Sequence, residues 1–193
     1  LEKKIGNYPD WLIICNNDIT FPDNNFFKKL SKIDLKKYPI IGPKIVDSHN
    51  QELNPFMFSS LSKVEKLYWK LYFISYPLSL LMLSIKKLLN PFFIIKKLKN
   101  WNSYENVYAV HGSFILFSSH FFKKGGWLDD NFEMYGEELS VAEIAKKINV
   151  PITFIPELII RHNEHSSTKK INKRILYLKA KESHKYFQSV YSK

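Results

Sequence analysis

The stretch Trp11-Leu12-Ile13-Ile14-Cys15-Asn16-Asn17-Asp18, continued by Ile19-Thr20-Phe21-Pro22, decides the fold. Four consecutive apolar residues, Trp11 to Ile14, predict a strand buried on both faces of a sheet, because a half-solvated strand would alternate. The polarity then changes abruptly. Asn16, Asn17 and Asp18 put two amides and a carboxylate at the strand's C-terminal mouth, where open α/β sheets place their ligands. A carboxylate there can hold a hard divalent cation, and the cation a diphosphate. The same residues also suit a capped turn with no ligand.

Working outward, residues 1–10 read as the end of a helix and a turn, with Gly6-Asn7 as the stop and Pro9-Asp10 leading into the strand. Downstream, Asp23 or Asn24 is placed to cap a helix carrying Phe26, Phe27, Leu30 and Ile33 at helical spacing. Tyr38 to Val46 predicts a strand broken near Gly42-Pro43, and Tyr108 to Phe117 another, interrupted by His111-Gly112-Ser113. Gly112 lets a ligand approach the backbone or simply makes a bulge; His111 reads as a strand-end structural residue. Asn149 to Pro156 predicts a turn and a short edge strand, and Leu158 to Ile160 lead into Arg161-His162-Asn163.

With 193 residues, 45% hydrophobic and 16% aromatic, the chain is long and apolar enough for one folded core. A net charge of +11 predicts an anionic partner: nucleotide phosphates, anionic lipid or nucleic acid. No nucleic-acid motif is visible, and the lysines cluster beside apolar helices, so nucleic acid is not the expected partner. The single cysteine, Cys15, excludes an internal disulfide and is placed inside the buried strand. The chain opens on Leu1 with no signal-peptide pattern and reads as a fragment.

Residues 59–99 differ in kind. Leucines, isoleucines and aromatics alternate with Lys63, Lys66, Lys70, Lys86, Lys87, Lys96, Lys97 and Lys99, against one acid, Glu65. The apolar run from Leu71 to Ile85 is about 15 residues, short of the roughly 20 a spanning helix needs, and contains Pro77. Three readings stay open: helices in the interface of an anionic membrane, a hairpin packed on the core or a partner chain, and a true span. Residues 169–193 are basic, with Ile171, Ile175 and Leu178 able to form one apolar face of a helix.

Gly126-Trp127-Leu128-Asp129-Asp130-Asn131-Phe132, then Tyr135-Gly136-Glu137-Glu138, completes the pattern. Glu137 and Glu138 open a helix whose Leu139, Val141, Ala142, Ala145 and Ile148 can face a core; the positive end of the helix dipole favours carboxylates there. With the Asn16-x-Asp18 strand end, this segment resembles family 2 glycosyltransferases of the GT-A fold, in their modified Asp-x-Asp segment and their Gly-x-x-Asp-Glu-x-Phe and Tyr-Gly-Glu-Asp segment. The resemblance runs from about Trp11 to Ser167, interrupted by the insert. It implies a partial GT-A fold, α/β and Rossmann-like, with a mostly parallel mixed sheet flanked by helices and a helical insert. The catalytic core is then 1–58 and 100–168, without the family's first nucleotide-binding units, and 169–193 is a C-terminal helix.

The resemblance also implies the chemistry. The family transfers a sugar from a nucleotide-diphosphate donor to a hydroxyl, with inversion, assisted by Mn2+ or Mg2+. Glu138 stands where the family has its catalytic base, usually Asp, and Glu137 positions base or acceptor. Asn16, Asp18, Gly112 and Ser113 fall on the donor diphosphate, and Asp18 with His162 on the metal; Arg161 or His165 could instead contact phosphate. A saccharide or lipid-linked acceptor and a cytoplasmic place, peripheral on the inner face of the cell membrane, fit the basic insert. The missing first units and the Glu at the base position leave open a non-catalytic, membrane-associated remnant of the same fold.

Overall fold

The computed structural model describes residues 8–89, 103–132, 134–163 and 172–192. Strands β1 (Trp11–Cys15), β2 (Ile19–Thr20), β3 (Ile40–Asp47), β4 (Glu105–Val107), β5 (Phe114–Ser118) and β6 (Ile152–His162) form one mixed sheet. Its order is β1-β5-β3-β6-β2, with β4 beside the start of β6. Helices α1 (Phe26–Leu30), α4 (Ser119–Lys123) and α5 (Glu137–Lys147) flank it, α2 (Lys63–Tyr72) and α3 (Tyr76–Leu89) form a hairpin, and α6 (Lys173–Tyr191) packs against α5. The result is an α/β architecture with an open six-stranded sheet, compatible with a Rossmann-like fold.

Side-chain alternation along β5 divides the core in two. Phe114 and Leu116 join Phe26, Leu30, Ile41 and Ile45 under α1; Ile115 and Phe117 join Phe121, Val141 and Ile144 under α4 and α5. Every residue of β5 is buried, so this strand is covered on both faces. That corrects the expectation for Trp11–Cys15. Among the described residues strand β1 pairs only with β5 and lies at the edge: Trp11, Leu12 and Ile13 are half-buried, and Ile14 and Cys15 are exposed. An apolar run records that a strand is covered by something, not which place in the sheet it takes.

Three further expectations change. Among the described residues only β3–β6 is a parallel pairing and the other four are antiparallel, so the sheet is mixed without being mostly parallel. Continuous apolar runs signal burial on both faces, and β5 has that while running antiparallel to both neighbours. Residues 152–162 are one interior strand, not a short edge strand. Proline is tolerated there because the β3–β6 register jumps from Pro43↔Ile155 to Lys44↔Ile159, leaving Pro156 in a bulge where no ladder N–H is needed. Strand β3 itself runs unbroken through Gly42-Pro43.

The insert is helical as far as it is described. Ser62 and Glu65 form a reciprocal capping box that starts α2, and Pro77 falls in the first turn of α3, where its missing N–H costs nothing. Among the described residues no helix is long and apolar enough to cross a membrane.

Candidate functional site

Strand pairing builds the site at the carboxyl ends of β1, β3 and β6. The Asn16 N–H donates to the Ser113 carbonyl at 3.0 Å, extending the β1–β5 ladder by one residue, and a turn then carries the chain across to β6. There Ile19 stands opposite His162, and the Asn163 N–H donates to the Asp18 carbonyl at 2.9 Å. His162, the last residue of β6, is flanked on its other side by Asp47 of β3. Two residues 144 positions apart therefore meet.

Their contact is chemically specific. Asp18 Oδ1 lies 3.0 Å from His162 Nε2, close enough for an ion pair, and Oδ1 is buried with no hydrogen-bond partner among the described residues. Asn16 Nδ2 sits 3.3 Å from the same Nε2. In the tautomer in which Nε2 accepts from that amide, an imidazole lone pair and a carboxylate oxygen face each other without a proton between them. A shared divalent cation removes that repulsion, and two ligand atoms each about 2.1 Å from a metal at a right angle stand about 3.0 Å apart. The donor set of one carboxylate and one imidazole suits Mn2+, and less well Mg2+. Among the described residues no group of three or more His, Cys, Asp or Glu is placed to hold a metal, and Asp18 and His162 are the two that could contribute ligands here. His162 Nδ1 is buried without a hydrogen-bond partner among the described residues, and it lacks the outer bond that commonly orients a ligating histidine.

The His111-Gly112-Ser113 turn supplies the opposite wall. His111 Nδ1 accepts the Ser113 N–H at 3.2 Å and lies 2.9 Å from Ser113 Oγ, while the His111 N–H donates to Asn54 Oδ1 at 2.7 Å. Asn54 is buried and donates in turn to the Pro43 carbonyl, so the turn is pinned to β3. The rings of His111 and His162 are 6.4 Å apart. Sequence reasoning treated His111 as structural and did not mark Asn54; the apposition of the two rings depends on long-range pairing and has no local signal.

The two glutamates close over the turn. Tyr135 (φ 65°) and Gly136 (φ 101°) both take left-handed backbone, which turns the chain sharply into α5. The tyrosine pays a steric cost for this that glycine does not. Glu137 and Glu138 then lean onto Gly112: its N–H donates to Glu138 Oε1 at 3.2 Å, and a Cβ built on it would stand 2.8 Å from Glu138 Oε1 and 2.9 Å from Glu137 Oε1. Surrounding protein, then the neighbouring Glu138 charge, push the Glu137 carboxyl above the usual glutamate range, although the residue as a whole is exposed.

The loop before these glutamates is held by α6. Asp129 accepts from the hydroxyls of Tyr191 at 2.6 Å and Tyr186 at 3.0 Å, and Ser183 Oγ donates to the Met134 carbonyl at 2.8 Å. Burial raises the Asp129 carboxyl, but the hydrogen bonds from Tyr191, Asn131 and Tyr186 together outweigh it and leave it below the usual range. Helix α6 thus clamps the loop that leads into α5, a role its charge pattern did not indicate. Arg161 faces Asn50 at 3.4 Å and not the Asp18–His162 pair, whereas His165, Ser166 and Ser167 lie outside the described residues. No family model matches the chain, and a search of curated proteins likewise finds no match.

Proposed function

We propose that the chain carries the diphosphate and acceptor side of an inverting glycosyltransferase, of family 2 and GT-A type. It would move a hexosyl or deoxyhexosyl group from a nucleotide-diphosphate donor to a hydroxyl of a saccharide or lipid-linked acceptor. The observation that carries this reading is convergence: the Asp18–His162 pair and the Glu137–Glu138 pair meet on either side of one glycine-containing turn, at the carboxyl ends of the strands.

A divalent cation held by Asp18 and His162 would offset charge on the departing diphosphate. The protein's own groups do the rest. Glu138, oriented by the Gly112 N–H, accepts the proton of the acceptor hydroxyl as that oxygen bonds to the anomeric carbon. The bond from that carbon to the diphosphate breaks on the opposite face, and the diphosphate leaves with the electron pair. Asn16 and Ser113 orient diphosphate oxygens, and the Gly112 backbone lies beside them. Glu137 positions the acceptor or Glu138. The extra methylene of Glu relative to Asp is taken up where Gly112 offers no side chain.

The test is Mn2+-dependent turnover of a panel of nucleotide sugars by protein expressed from the complete reading frame. One donor should be consumed, and Glu138→Gln should lower the rate about 10²–10⁴-fold with donor binding retained. Neither turnover nor donor binding in folded protein would replace this reading with the non-catalytic, membrane-associated remnant.

A further inference from the structure

Helices α2 and α3 leave much of their apolar surface outside any core, with Tyr68, Trp69, Tyr72, Tyr76, Leu78 and Met82 only half-buried. Residue Ser79 is the one buried position among their described side chains. The hairpin is anchored instead by its aromatic side: Phe73 stacks on His184 of α6 with ring centroids 4.6 Å apart, Tyr76 and Tyr72 approach Tyr177, and Lys181 Nζ donates to the Ile74 carbonyl at 3.0 Å. What remains outside is organised. Leu67, Leu71 and Ile74 recur at i, i+4 and i+7 on and just beyond α2 and are 56%, 41% and 58% exposed; Leu81, Ile85 and Leu88 repeat the spacing on α3 at 57%, 47% and 76%. Each helix therefore presents a leucine-rich stripe to solvent.

We infer that this hairpin is a docking surface for an anionic membrane, lying in the headgroup interface. Charge selects this occupant. Lys63, Lys66 and Lys70 run along one flank of the α2 stripe and Lys86 and Lys87 end α3, while the single acid, Glu65, is engaged in the Ser62 cap. Apolar side chains at the acyl boundary with lysines at the headgroups is the arrangement of an interfacial helix. Among the described residues neither helix is both long and apolar enough to span. The inference stands on the hairpin alone and does not depend on the transferase reading.

Vesicle flotation tests it, with the full chain and vesicles of phosphatidylcholine alone or with about one-third phosphatidylglycerol. The protein should float with the anionic vesicles and not with the neutral ones. Replacing Lys66 and Lys70 together by Ser should weaken partitioning about tenfold or more, since each lysine near an anionic leaflet contributes a factor of about five. The variant Leu81→Ser/Ile85→Ser/Leu88→Ser should lose flotation while keeping its melting curve, because these side chains support no core. Absence of flotation by folded wild type, undiminished flotation of the leucine variant, or a dimer in vesicle-free solution that the leucine variant abolishes would overturn the inference.

Discussion

Gly112 is where the fold and the chemistry press hardest on one residue. Its missing Cβ is the space both glutamate oxygens occupy. Gly112→Ala should therefore leave thermal stability almost unchanged, because two flexible carboxylate tips can move aside, yet lower turnover by roughly 10²-fold, as small displacements of catalytic groups do. A melting curve beside a rate measurement separates the two effects. Glu137 gives a pH signature. Its folded-state pKa is raised, so below the ordinary glutamate value both folded and unfolded states are protonated and it has no effect on stability. The penalty develops as pH rises toward the raised pKa and is complete above it. Glu137→Gln should thus raise the melting temperature at pH 7 to 8 and give no gain near pH 4; an equal gain at both would contradict that origin. Neither consequence can be read from the sequence, because both arise from a contact between residues 112 and 137–138 across the turn. What the sequence did display was the spacing Tyr135-Gly136-Glu137-Glu138, which put the two acids in a helix's first turn, as found.

At the scale of elements, legibility follows locality. Helix α5 and the turn at His111–Ser113 depend on neighbours within a few positions, and each stands where its residues indicated. The rank of strands does not. Trp11–Ile14 and Phe114–Phe117 are equally apolar, but the second is central and the first is at the edge. The function of α6 was hidden for the same reason, since its tyrosine hydroxyls find Asp129 across 57 and 62 residues. That clamp has its own prediction. Tyr191→Phe should cost about 1 kcal/mol of stability, the typical net worth of a partly exposed hydrogen bond, read from urea unfolding at neutral pH. Because the folded-state pKa of Asp129 lies below its unfolded value, its contribution is present above the ordinary carboxylate range and fades as pH falls through the depressed pKa. The difference between Tyr191→Phe and wild type should shrink in acid, and a constant difference would sink this account of the clamp.

Across the whole molecule, the sheet brings together groups that no local rule links. Asp18 follows the first strand, Ser113 precedes the fifth, His162 ends the sixth, and the glutamates arrive from the opposite face on α5. The structure supplies their distances, a carboxylate oxygen with no hydrogen-bond partner among the described residues, and the exposed hairpin beside α6. Binding of Mn2+ tests the central claim most directly, followed by electron paramagnetic resonance in the presence of pyrophosphate. Wild type should remove the free-ion signal, with pyrophosphate strengthening the effect, and Asp18→Ala and His162→Ala should each weaken binding at least about tenfold while remaining folded. Equal Mn2+ binding by the two variants and wild type, or none by any of them, would contradict it.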